Sequence, residues 1–265
     1  MKYPIAASLL LVVPFALAVC RHAEAVQLLG DDFTYADGNF DGTQNGGTGS
    51  WTSAWTFSGQ SDSGIDAWRV LNNQANAPGN ELGGNAGRQT GSISRSFTTS
   101  EAPNTTMYFS FDMERVNDNE GSYSTYVEFL GGQVAVGVQN DTVRARLAGQ
   151  NPNDGSRPAA FSSNFIGRIE FDALGDEILT VWENATLETD APILTVMAEL
   201  GQSDLGTLLE FDKNGQDNNQ FNIDNFQLGT DFDFSAAAVP EPASVAIWTF
   251  LGLAGFGYYR TRRKK

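Results

Sequence analysis

The sequence predicts an all-β chain folded as one two-sheet antiparallel β-sandwich, and three observations carry that prediction. Met107, Phe109, Phe111 and Met113 alternate with Tyr108, Ser110 and Asp112, and Val134, Val136 and Val138 alternate with Ala135 and Gly137. A period of two belongs to a half-buried strand. The composition agrees, with 28 Gly against 9 Pro, 18 Phe and 11% aromatic residues, and without the long Ala/Leu/Lys/Glu stretches of helical proteins. The length of 265 residues, 41% of them hydrophobic, allows one large core, and no linker divides the chain.

Taken in order, the chain opens with Met1-Lys2-Tyr3, an apolar run from Pro4 to Val19, and Ala23-Glu24-Ala25, which puts small residues at the two positions a signal peptidase reads. Residues 1–25 are therefore expected to be a signal peptide, with Val26 the first mature residue. A lipoprotein reading of Leu17-Ala18-Val19-Cys20 is the alternative, although Val19 stands where a small residue is wanted. Strands are then predicted at Ala67 to Leu71, Ile93 to Phe97, Met107 to Met113, Tyr123 to Leu130, Val134 to Val138, Thr142 to Leu147, Phe165 to Phe171, Ile178 to Trp182, Thr207 to Phe211 and Phe221 to Leu228. Gly131-Gly132 marks a tight hairpin. Asn72 to Gly91 and Gln150 to Ser163, rich in Asn, Gly and Pro, are expected to be surface loops. The sandwich should span residues 26–235.

Residues 236–265 carry a second signal. Val239-Pro240-Glu241-Pro242 precedes an apolar run from Ser244 to Tyr259, and five of the last six residues are cationic, Arg260, Arg262 and Arg263 among them. The run is long enough for a membrane helix whose basic tail stays in the cytoplasm. This order of motif, helix and basic cluster resembles the PEP-CTERM sorting signal. The resemblance implies a Gram-negative host, transient anchoring in the inner membrane, cleavage near Pro240 to Pro242 by an exosortase, and delivery to the cell surface or an exopolysaccharide matrix. In the body, Asp31-Asp32-Phe33, Gly46-Gly47-Thr48-Gly49-Ser50-Trp51-Thr52-Ser53-Ala54-Trp55, Ser94-Arg95-Ser96-Phe97, Leu179 to Asn184 and Ile223 to Thr230 together resemble the concanavalin A-like, or laminin-G-like, jelly roll. Ala185 departs from the Pro that often follows the Trp-x-Asn segment in that family.

Removing both signals takes two of the 32 acidic and seven of the 16 basic residues, leaving 30 and 9, net −21. Such a body repels a phosphate backbone, so nucleic-acid binding is excluded. Cys20 and His22 leave with the signal peptide. Catalysis by Ser-His-Asp or Cys-His, zinc sites built on these ligands, and disulfides all lose their parts.

Three sets of site candidates follow. Glu170-Phe171-Asp172-Ala173-Leu174-Gly175 begins the Glu-x-Asp-x-x-Glu strand of laminarinase-type glucanases, but Gly175 stands where the second Glu should be. Asp212, Asn214 and Asp217 lie in what reads as an oxygen-rich turn, Asp212 to Asn219, suited to a structural calcium, the one cofactor the sequence suggests. A second calcium candidate joins Asp31 or Asp32 near the first strand to Asp224 near the last. Trp51 and Trp55, in a Gly/Ser/Thr-rich segment, are the candidates for stacking on a sugar ring. The expected function is that of an exported, non-enzymatic surface or matrix protein whose partners are signal peptidase and exosortase. The alternatives are a lectin-like carbohydrate-binding module and a degenerate glycoside hydrolase.

Overall fold

The computed structural model describes residues 27–232 apart from 60, 63–64, 67, 78–89, 99–105, 117–122, 149–152, 159–161, 172–176, 201–205 and 216–219. The signal-peptide expectation (Ala23, Ala25, Val26) and the whole sorting signal lie outside these residues, as do Asp172, Gly175 and Asp217. Among the described residues no helix is long and apolar enough to cross a membrane.

The strands in chain order are β1 Gln27–Asp31, β2 Gly38–Asn39, β3 Thr48–Gly49, β4 Thr56–Gly59, β5 Ser61–Asp62, β6 Ile65–Asp66 and β7 Arg69–Leu71. There follow β8 Gln74–Ala77, β9 Gly91–Ser96, β10 Thr106–Arg115, β11 Tyr123–Phe129, β12 Val134–Gln139 and β13 Thr142–Leu147. The last six are β14 Asn153–Pro158, β15 Ser162–Glu170, β16 Glu177–Glu183, β17 Leu194–Ala198, β18 Leu208–Gly215 and β19 Phe221–Gly229. One sheet runs β17-β16-β15-β10-β19-β8-β7-β2, with β1 pairing both β19 and β3. The second runs β14-β13-β12-β11-β18-β9-β4, and β5 and β6 form a small ribbon of their own. Every pairing among the described strands is antiparallel, so the body is the two-sheet sandwich that the alternation predicted, in the jelly-roll form that the resemblance implied.

The core lies between the sheets. From the first come Phe109, Phe111, Phe165, Ile169, Leu179 and Val181, and from the second Val127, Phe129, Val136, Val143 and Phe211, all buried. Phe109 meets Phe129 edge-on with ring centroids 4.6 Å apart. Gly167, the cross-strand partner of Phe109, makes room for that ring, since a Cβ there would sit 1.9 Å from it. A smaller apolar cluster of Tyr108, Ile166, Trp182 and Phe232 covers the outer side of the first sheet.

Three loop expectations change. Asn72 and Asn73, both at positive φ (54° and 61°), close a tight hairpin into β8, which borrows its pairing from β19. The second loop, Gln150 to Ser163, contains β14, which pairs with β13. Asp212 and Asn214 belong to β18 rather than to a turn, because β11 and β9 pair with it on both sides through Lys213.

Candidate functional site

Asp31 ends β1 opposite Phe226 of β19, and its carboxylate gathers the segment that follows. Oδ1 accepts the Phe33 backbone N–H at 2.9 Å. Oδ2 accepts from the Trp55 indole Nε1, the Tyr35 hydroxyl and Arg95 Nη1, each at 2.7 Å. The Asp31 side chain is 0% and that of Arg95 1% exposed. A charge this deep is tolerated because it is paired and its lone pairs are filled. Burial and the bond to Asp31 push the Tyr35 hydroxyl well above its ordinary range.

Two clefts flank the Gly46-to-Gly49 loop above this network. Gly49 has φ 96°, and a Cβ there would lie 2.1 Å from the Leu28 carbonyl, so only glycine lets β3 run this close to β1. One cleft, about 440 Å³, opens between this loop and β19, beside Asp32, Thr34, Asn225 and Gln227. The other, about 380 Å³, is lined by Asn45, Gly46, Trp51, Thr52, Ser53 and Arg95. Of the two expected sugar-stacking indoles, Trp55 is 0% exposed in the core, with Phe211 5.2 Å away, so it has no face to offer. Trp51 lines the second cleft. Its ring lies over the Arg95 guanidinium at 4.3 Å and its Nε1 donates to the Gly30 carbonyl at 3.2 Å. The sequence reading did not single out Arg95, although its parity with the inward Ile93 and Phe97 marked it as an arginine on the core face.

The outer side of the second sheet carries a further group that sequence reasoning missed. Glu128 of β11 faces Glu210 of β18 directly, and Asp212 lies two pairs further along on the same face, opposite Tyr126. Arg146 reaches across Ala135 to Glu128, 2.8 Å away, while no hydrogen bond or ion pair joins the Glu210 or Asp212 side chains to any described residue. Burial, with the charges of Glu128 and Glu210 adding to it, pushes the Asp212 carboxyl up to about 6. Glu128 is raised by burial too, against the opposing pull of Arg146. The Tyr126 hydroxyl donates to Gln139 at 3.0 Å, and Ser92 and Ser94 continue the same rows on β9. The clue was the Glu-x-Asp spacing of Glu210 and Asp212, which puts both on one face of a strand.

The expected neighbourhood of first and last strands exists, but its carboxylates are engaged. Asp112 and Asp224 pair across a register irregularity in β10 and β19, with Asn225 at φ 52°. Asn164 and Asn225 amides donate to Asp112 at 2.8 and 2.7 Å. Burial, reinforced by the charges of Asp112 and Asp32, raises Asp224 to about 6. Asp31 cannot serve as the expected calcium ligand because both its oxygens are filled from inside. Among the described residues no group of three or more His, Cys, Asp or Glu side chains converges to hold a metal. Glu170 is paired with Arg168 at 2.9 Å on the outer side of the first sheet, and Ile169 and Phe171 are buried.

No family model and no curated protein matches the chain. Among solved structures it is similar to the CBM2 module of the evolved Dit of Lactobacillus casei BL23 phage J-1, at 8% identity over 78% of this chain and 96% of that one, with a TM-score of 0.47. A β-1,3-glucanase from Mycobacterium marinum gives 10% identity over 77% and 98%, with a TM-score of 0.48. The binding domain of botulinum neurotoxin DC in complex with rat synaptotagmin II gives 11% over 76% and 49%, with a TM-score of 0.43. No residue role is carried over from these proteins, and the fold assignment rests on the strand pairing of this chain.

Proposed function

We propose that this chain is an exported protein of the cell surface or extracellular matrix whose sandwich holds a polysaccharide without cleaving it. In this reading a signal peptidase releases Val26, the Ser244 to Tyr259 helix anchors the chain, and an exosortase cuts near Pro240-Glu241-Pro242, as the resemblance of the C-terminal signal implies. The observation that carries the binding role is the outer face of the second sheet. From β4 to β13 it runs about 24 Å at the usual strand spacing, with the hydroxyls of Ser92 and Ser94 and the carboxylates of Glu210 and Asp212, which have no side-chain partner among the described residues. Carboxylates and hydroxyls of this kind bond the hydroxyls of a sugar chain laid across the strands.

The test is retention of the purified full chain by immobilised or insoluble polysaccharides, compared with Glu210→Gln/Asp212→Asn. Retention that falls at least tenfold in the double variant, with a melting midpoint no lower than that of the wild type, is expected. Equal retention of both proteins removes this face from the reading. A glycoside hydrolase is the second reading, favoured by the direct opposition of Glu128 and Glu210 across β11 and β18, since a pair of nearby carboxylates is what glycosidic cleavage uses. Reducing sugar released by the wild type and lost in Glu210→Gln would put this reading ahead. Export is tested separately: alanines at Pro240, Glu241 and Pro242 should leave an uncleaved species of higher mass in the membrane fraction.

A further inference from the structure

We propose that the cleft beside Trp51 is a separate binding site, for a carboxylate-bearing ligand of monosaccharide size, a sugar acid, with the carboxylate held by Arg95 Nη2. This does not depend on the polysaccharide reading of the outer sheet face. The Arg95 guanidinium is fixed on three sides: Nε donates to the Ser53 carbonyl at 2.8 Å, Nη1 to Asp31 at 2.7 Å and to the Tyr35 hydroxyl at 3.3 Å, and the Trp51 ring covers its face. None of these bonds uses Nη2. A side chain 1% exposed therefore keeps an unspent N–H donor while it lines a cleft of about 380 Å³.

The lining narrows the ligand. Arg95 is the only charged residue among the described residues that line it, in a body where acids outnumber bases by 30 to 9. The Ser53 hydroxyl accepts from the Ser96 N–H at 2.9 Å and keeps its own hydrogen to donate. The side chains of Asn45 and Thr52 have no partner among the described residues. A carboxylate puts one oxygen on Nη2 and the other within this set of neutral donors, the charge-assisted arrangement guanidinium favours. A phosphate dianion would have a second charge to desolvate with no second cation in the lining to pair it, so a monoanion is preferred. The volume is at the low end of ligand pockets, about 300–1,000 Å³, and hydroxyl and amide lining suits a polyhydroxylated ring.

The experiment titrates the full chain with sodium D-glucuronate, D-glucose and inorganic phosphate at one ionic strength, by calorimetry and by tryptophan emission. Glucuronate is expected to bind at least tenfold more tightly than glucose or phosphate. Asn45→Asp, at an exposed rim position, should weaken glucuronate at least tenfold and leave the melting midpoint unchanged. Arg95→Lys, which keeps the charge beside Asp31 but removes the fork, should abolish binding; Asn45→Asp keeps the test decisive if the lysine variant does not fold. Absence of glucuronate binding, glucose binding as tight as glucuronate, or tighter phosphate would each overturn the assignment, as would an Asn45→Asp protein that binds like the wild type. A sugar acid presented at the end of a polymer competes with free glucuronate, whereas one inside the polymer does not, and that competition identifies its source.

Discussion

Replacing Asp31 by alanine leaves the Arg95 guanidinium buried without its counter-charge, and deprives the Trp55 indole N–H and the Tyr35 hydroxyl of the acceptor each reaches at 2.7 Å. Removing one member of a buried ion pair costs about 3–5 kcal/mol, and the two stranded donors push this change toward the upper end of that range. Against the 5–15 kcal/mol by which domains are usually stable, the loss is a large fraction of the whole. At about 2–4 °C per kcal/mol for a domain of some 200 residues, the midpoint should fall by about 10 °C or more. The assay is urea unfolding of the full chain followed by tryptophan emission, with thermal melts alongside, on wild type, Asp31→Ala, Arg95→Met and the double variant. Because Arg95→Met removes the same charge that Asp31→Ala strands, the double variant should lose clearly less than the sum of the single losses. A loss below about 1 kcal/mol for Asp31→Ala, or additive losses, would refute the view that this pair fastens the 31–58 segment to the sandwich. Salt should change the result little, since a pair this buried is poorly screened.

Gly49→Ala should cost about 2 kcal/mol or more, because it combines a positive φ with a Cβ 2.1 Å from the Leu28 carbonyl; urea midpoints check it. Asp212, pushed up to about 6 in the fold, binds a proton more tightly folded than unfolded, so its contribution is fully present below about pH 4 and disappears as pH rises through 6. Asp212→Asn should accordingly stabilise the protein by about 1–2 kcal/mol at pH 8 and hardly at all at pH 4, read from unfolding curves at the two pH values. Phe232→Ala uncovers Trp182, which the phenylalanine ring meets edge-on at 5.4 Å. A loss of about 2–4 kcal/mol and a red shift of tryptophan emission are expected, and an unchanged spectrum would mean that another group covers this face.

The sandwich was legible because strand alternation is local. Every second side chain of β10, β12 and β13 meets the core whatever partner the strand finds, so parity alone sorts Phe109 from Tyr108 and Val143 from Arg144. Where propensity and pairing conflict, pairing won. Gln74 to Ala77 lacks β-branched residues and reads as loop, yet it completes hydrogen bonds along β19; Asp212-Lys213-Asn214-Gly215 reads as turn, yet neighbours on both sides hold it extended. Parity also put Arg95 on the core face, but not its partner, because Asp31 lies 64 residues away and only the pairing of β1 with β19 and of β4 with β9 brings the two together. The fates of Trp51 and Trp55 turned on the same closure. Four residues apart in one Gly/Ser/Thr-rich segment, they look alike in sequence, and it is the wrapping of that segment over the Asp31 carboxylate that sinks one indole into the core and leaves the other on a cleft. Local chemistry determines which side of a strand a residue faces; which distant group waits there is decided by the free energy of filling every buried acceptor and donor at once, and that depends on the whole fold.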